Sequence, residues 1–295
     1  MKQNLQFKKS RDLGEIITDT FTFLRHHYKT FFTVFFKHVG PLILLTTLLS
    51  AYLQYSATGL VTDFDGGDGS VSASAGLDVM NYIAEFSVVG LLNILAAVIT
   101  YAMSISCVLY CIKSVVDHGE IQEIEVVQQM RQKFWAFVGA SILVFLSVMI
   151  GAIFCVIPGI YLGITLSIIF SVMVFKEMPV IDAYSYCFQL IKQNWWMTFL
   201  TLIVIGLLVG IAGTIFQLPM IIMGVIEGVS SVQSGGEPDV YFGDSWLYMS
   251  FFVISTIASY ALQVITIIST ALIYFNLDEF HNNTGQLEQI EELGA

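Results

Sequence analysis

The chain has 295 residues, of which 56% are hydrophobic and only 12% charged. A soluble domain usually carries about 25% charged residues, so one aqueous core cannot hide this much apolar surface and lipid is the natural solvent for the excess. The net charge of −11 argues against a nucleic-acid partner, which needs a basic patch, and the acids sit mainly in a few short stretches.

Met1 to Arg11 is polar and basic, with no apolar run and small-residue cleavage site after it, so no removable signal peptide is expected. Asp12 and Glu15 are spaced as a capping box for a helix start. Leu13, Ile16, Ile17, Thr20, Leu24 and Tyr28 then recur at helical spacing, with Asp12, Glu15, Asp19, Thr22 and Arg25 on the opposite face. This amphipathic helix is too polar to span and fits the membrane surface; packing on another part of the protein is the alternative.

The first span is expected over Phe35–Tyr55, with Pro41 in its first turns, where it disturbs the hydrogen-bond ladder least. The following linker holds the string DFDGGDGS, which alternates carboxylates with glycine as a calcium loop does. It lacks the spacing and the closing Glu of an EF-hand and reads as a solvated loop; calcium binding stays open. Leu77–Val116 is then apolar for 40 residues. A straight helix of that length would measure about 60 Å, twice the hydrocarbon core. Leu77–Phe86 is therefore read as an outer surface helix or a protruding first turn, and Val88–Ile112 as the second span.

Asp117–Lys133 is a charged cytoplasmic segment. Phe134–Ile157 and Ile160–Phe175 are read as the third and fourth spans, a hairpin turning at Pro158-Gly159. Pro179 suits the first position of a second surface helix, with Val180, Tyr184, Cys187, Phe188, Ile191 and Trp195 on one face. Trp195 and Trp196 fall at the interfacial level. The fifth span, Met197 to about Ile226, carries Gly206, Gly210 and Gly213 at spacings that allow close helix approach, and Pro219 as a kink. A second acidic loop, Glu227–Asp244, precedes a sixth span over Trp246–Phe275, and Leu277–Ala295 is an acidic tail. The membrane-interface residues expected from this pattern are Leu13, Ile17, Leu24 and Tyr28 on the first surface helix. On the second they are Tyr184, Phe188, Ile191, Trp195 and Trp196.

All 12 Lys and Arg residues fall on one side of this map, and the two long loops on the other side have none. Short loops enriched in Lys and Arg stay cytoplasmic, so both termini are expected inside. An error of one span would scatter these charges over both sides.

The two surface helices resemble each other at an offset of 167 residues: Arg25 and Tyr28 match Lys192 and Trp195. At an offset of 166, Gly119-Glu120-Ile121 matches Gly285-Gln286-Leu287. This suggests a parallel repeat of 11–125 and 178–293 about an axis along the membrane normal, with the hairpin 126–177 inserted. Convergent composition is the alternative.

The segment PGIYLGITLSIIFSVMVFKEMPVIDAYSYCFQLIKQNWW, Pro158 to Trp196, resembles the central signature of the membrane-domain family named after glycerophosphoryl diester phosphodiesterase: an apolar hairpin ending in a charge, then a surface helix running into aromatics. The tail ending in QLEQIEELG is similar to that of bacterial relatives. The resemblance implies a bacterial inner (cytoplasmic) membrane. It does not imply hydrolysis, which in the family's enzymes belongs to a separate soluble domain with no counterpart here.

Chemistry is sparse. His26, His27, His38, His118 and His281 pair with no second ligand at metal spacing, and no HExxH, GxSxG or P-loop occurs. Cys107 and Cys111, four residues apart, read as apolar filler rather than half a metal site. Asn93, Gln217 and Gln263 lie within spans and read as helix bridges. The expectation is an all-α integral membrane protein, a single membrane domain over 1–295, with six transmembrane helices and two interfacial helices. No catalytic residue, metal or cofactor is expected. The partners are the lipid bilayer and other envelope membrane proteins. A non-enzymatic scaffold or accessory subunit is the first functional reading, and a transporter of a lipid or small molecule the second.

Overall fold

The computed structural model describes residue 7 and residues 9–65, 73–234 and 246–282. The described residues are helical: α1 (Leu13–His38), α2 (Gly40–Asp65), α3 (Ala73–His118), α4 (Glu123–Phe154), α5 (Val156–Leu166), α6 (Ile169–Phe175), α7 (Val180–Ile191), α8 (Trp195–Ser234) and α9 (Trp246–Asn282). The glycine-rich centre of DFDGGDGS, the second acidic loop from residue 235, and Gly285 with the rest of the tail lie outside the described residues.

Five helices are long and apolar enough to cross a membrane: α3, α4, α5 with α6, α8 and α9. A sixth is available if the bent pair α1–α2 counts as one. The bend, 57° at Val39, has a local cause. Pro41 has no N–H to give the Lys37 carbonyl, its ring crowds that carbonyl, and it disfavours helical geometry at Gly40. The surface helix therefore runs on to His38, closed by a bond from the Val39 N–H to the Phe35 carbonyl (2.8 Å). The expected first span, Phe35–Tyr55, thus contains a helix break at Val39, and its straight part begins at Gly40. The capping box at Asp12 and Glu15 forms as expected.

Other boundaries also move. α3 is one unbroken helix of 46 residues. Of the two alternatives for Leu77–Phe86 a separate surface helix does not form, because no proline or glycine interrupts that stretch, and it continues as the first turns of α3 ahead of the apolar span Ser87–His118. The charged segment before the third span is largely the first turns of α4. Leu277–Asn282 is helix, and Leu277, Asp278 and Glu279 are buried, so the acidic tail begins inside the fold.

The hairpin turns at Cys155, not at Pro158-Gly159. One extended residue there (φ −169°, ψ 147°) ends α4 and caps α5. Pro158 sits in the first turn of α5, where its missing N–H has no helical partner to lose. Gly159 is what lets the two helices close. A Cβ built on it would lie 2.9 Å from the backbone nitrogen and Cα of Ala152. By contrast, a Cβ at Gly206 or Gly210 meets nothing within 4 Å among the described residues, and one at Gly213 makes ordinary contact with Leu262. The glycines of the fifth span therefore do not mark the close approach expected of them; that role falls to Gly151 and Gly159.

The chain forms two compact units, which cut across α3, α8 and α9. Unit 1 holds residues 1–40, 101–209 and 263–295; unit 2 holds 41–100 and 210–262. Unit 1 contains all 12 Lys and Arg residues of the chain, and unit 2 has none. The core of unit 1 is α6 and the end of α3. Val172, Val174, Cys107, Val108 and Cys111 are all but fully enclosed, which is the pattern of helices apolar on every side.

Candidate functional site

A polar junction lies in unit 1, where the N-terminal segment meets α1 and α9. Arg11 is buried, with its guanidinium fully enclosed. Its Nε donates to Asp19 Oδ2 (2.8 Å), and Nη1 donates to the carbonyls of Phe7 (2.5 Å) and Lys9 (3.3 Å). Its backbone N–H donates to Asn276 Oδ1 (2.7 Å), 265 residues away in sequence. Beside it the Phe7 ring packs on Phe23 and Phe275, and the Thr20 and Ser269 hydroxyls meet at 3.1 Å. A planar five-donor cation is the side chain that satisfies several carbonyls and a carboxylate at once.

A cavity of about 180 Å³ adjoins this junction, lined by Ser10, Arg11, Asn194, Thr198, Thr201 and Asn276 among others. It is polar enough to hold ordered water. Sequence reasoning missed it. Arg11 read as one cation of a basic tail, and no spacing rule connects it to Asn276.

Several other charges of unit 1 pair across elements. Lys37 and His38 meet Glu123 (2.6 and 3.1 Å), Lys113 meets Glu177 (2.6 Å), His118 meets Glu125 (3.0 Å) and Lys176 meets Asp278 (2.9 Å). Lys37, Lys113 and Lys176 thus stitch turns of the chain. The turn from α3 to α4 shows how. Gly119 takes a left-handed φ of 77°, its N–H closing on the Val115 carbonyl. Ser114 Oγ donates to the Glu120 carbonyl and accepts from the Gln122 N–H, which delivers Glu123 to Lys37. The hydrogen bond from Lys113 holds the exposed Glu177 carboxyl below its ordinary value. That contribution is present at neutral pH and is lost as pH falls through the lowered value, and exposure to solvent keeps it small.

In unit 2 neutral polar groups bridge helices. Asn93 Nδ2 donates to Ser50 Oγ (2.9 Å) and the Thr46 carbonyl (3.4 Å), and Thr46 Oγ1 lies 3.5 Å from the Tyr260 hydroxyl. Among the described residues the buried charged side chains are Arg11, Asp278 and Glu279, all in unit 1. No group of three His, Cys, Asp or Glu among the described residues is placed to hold a metal.

The expected interface residues are not equivalent. Leu13, Ile17, Leu24, Tyr184, Phe188 and Trp195 are half-buried, while Tyr28 and Trp196 are exposed. Ile191 is wholly enclosed by protein, on a stripe with Ala183, Cys187 and Leu190. It is a packing residue and cannot touch lipid. The pairs expected from a repeat also differ in setting. Arg25 and Tyr28 lie within α1, but Lys192 and Trp195 lie at the junction of α7 and α8.

These placements separate two kinds of variant. Ile191→Glu is expected to cost several kcal/mol by burying a charge without a partner. Asn93→Ala should cost about 1 kcal/mol, the usual worth of an interhelical hydrogen bond in a membrane. Thermal unfolding in mild detergent reads both, and a larger loss from Asn93→Ala would reverse the ranking.

No family model, curated protein or solved structure matches the chain.

Proposed function

We propose that the chain is a non-enzymatic membrane scaffold or accessory subunit of a bacterial envelope complex, set in the inner membrane with both termini cytoplasmic. The observation that carries this reading is the disposition of charge. The buried and paired charges of unit 1 bind its own segments together, and Asn93, Ser50, Thr46 and Tyr260 of unit 2 meet one another. A coupled transporter needs ionisable groups along a path, where they are costly and kept for function.

The second reading, a transporter of a lipid or small molecule, draws on the cavity beside Arg11. Affinity purification of the full chain in mild detergent separates the two. A stoichiometric protein partner supports the scaffold. A monomer or homodimer carrying bound lipid or solute overturns it in favour of transport.

A further inference from the structure

Five helices, or six if the bent pair α1–α2 counts as one, qualify by length and composition to cross the membrane, but the packing of unit 1 gives α4, α5 and α6 a different course. The first turns of α8 and the last turns of α9 lie abreast, because Thr198 and Thr201 line one cavity with Ile273 and Asn276. Against this common level both ends of the segment Val156–Phe175 can be placed. At its end, the Phe175 ring lies 4.5 Å from that of Phe275, and Lys176 pairs with Asp278 at 2.9 Å. At its start, Val156 and Ile160 share an apolar groove of about 450 Å³ with Phe199 and Ile203, and the Tyr161 ring stacks on Trp195 at 5.9 Å. The 20 residues would measure about 30 Å if straight, yet their two ends lie at the same height on the α8–α9 pair.

A hairpin that crossed the bilayer would set its turn about 30 Å, the thickness of the hydrocarbon core, from the level of Phe175 and Lys176. The turn instead lies beside the first two turns of α8. Its apolar tip is nonetheless bare: Ile153, Phe154, Val156 and Ile157 are 68–84% exposed. So are Trp196, Leu200 and Ile203 at the same height on α8, at 40–74%. Two apolar surfaces at one level, one of them on a helix that continues across the membrane, meet the same solvent.

We propose that the α4–α5 hairpin is a re-entrant wedge. It dips its tip into one leaflet, returns as α5–α6 lying along the membrane plane, and leaves four crossings, made by α2, α3, α8 and α9. The surface it presents fits the acyl chains of the leaflet on the Lys- and Arg-bearing side. A hairpin that crosses twice and one that does not cross at all leave every other segment on the same side, so the segregation of Lys and Arg is equally satisfied by both. That the leaflet is the cytoplasmic one rests on the orientation proposed above; the in-plane course does not.

The test is made in native membranes with the full chain. Cells carrying the natural Cys155 at the hairpin turn, or Ser72→Cys or Gln289→Cys as markers of the two sides, are treated with an impermeant maleimide from outside. Ser72→Cys should be blocked, and Cys155 and Gln289→Cys should not. Blocking of Cys155 to the extent of Ser72→Cys overturns the wedge, whereas blocking of Gln289→Cys overturns the orientation alone. Because a thiol sunk in lipid also resists labelling, a second measurement gives a positive signal either way. A short bifunctional thiol reagent should join Val156→Cys to Ile203→Cys and not to Ile226→Cys. Joining to Ile226→Cys without Ile203→Cys overturns the proposal, as does capture of Val156→Cys by a second protein chain in place of lipid.

Discussion

Arg11→Met is expected to lower the stability of the detergent-solubilised protein by about 3 kcal/mol, the low end of the range for removing one member of a buried ion pair. The guanidinium holds Asp19 and two carbonyls, and a methionine of similar length leaves all three to find other partners. The cost stays at the low end because Lys9 Nζ, 3.5 Å from Asp19, can take over part of the neutralisation. Asp19→Asn should cost less, since the guanidinium keeps both carbonyl acceptors. Thermal unfolding of the two single variants and the double variant measures the coupling directly. A melting curve unchanged by Arg11→Met would mean that the junction does not hold α1 to α9.

Gly159→Ala is the second large effect, about 1–3 kcal/mol from overpacking. The added carbon falls 2.9 Å from backbone atoms of Ala152, which no side-chain rotation can relieve. α4 and α5 would have to separate at the point where a single residue joins them. Gly139→Ala is the control. A Cβ there meets nothing within 4 Å, so that change should be neutral or stabilise α4 by up to about 1 kcal/mol. Equal melting temperatures for the two variants would remove the case for close approach at the hairpin.

The two glycines illustrate what the residues alone could convey. Apolar runs and the capping box at Asp12 are local properties, and they led to an all-helical membrane protein with nearly the right elements; that Pro41 would end one helix and open another was not read from them. The expected sidedness rests on local properties too, as each Lys or Arg carries its preference by itself. What was not legible depends on partners far away in the chain. Gly206 and Gly159 look alike in sequence, but only Gly159 faces a backbone. Ile191 sits on the same amphipathic stripe as Phe188, but only the fold decides that one is enclosed and the other half open. Pro158-Gly159 has turn chemistry, yet it was used one turn later, because a proline in the first turn of a helix costs little. Arg11 had no signal at all, since its partner Asn276 lies at the other end of the chain.

The division of charge between the units has a further consequence for how the chain enters the membrane. Unit 2 carries nine acids, Asp63, Asp65, Asp68, Asp78, Glu85, Glu227, Glu237, Asp239 and Asp244, and no Lys or Arg. With the cation-bearing side inward, as proposed, its two loops are the parts that must be carried outward during insertion. An energised bacterial membrane is negative inside, so each ionised acid moved out runs down the electrical gradient, by about 2.3 kcal/mol per 100 mV. The same field holds the lysines and arginines of unit 1 back. Insertion of this chain is therefore electrophoretically assisted at both loops and opposed at neither, and collapsing the membrane potential should slow it.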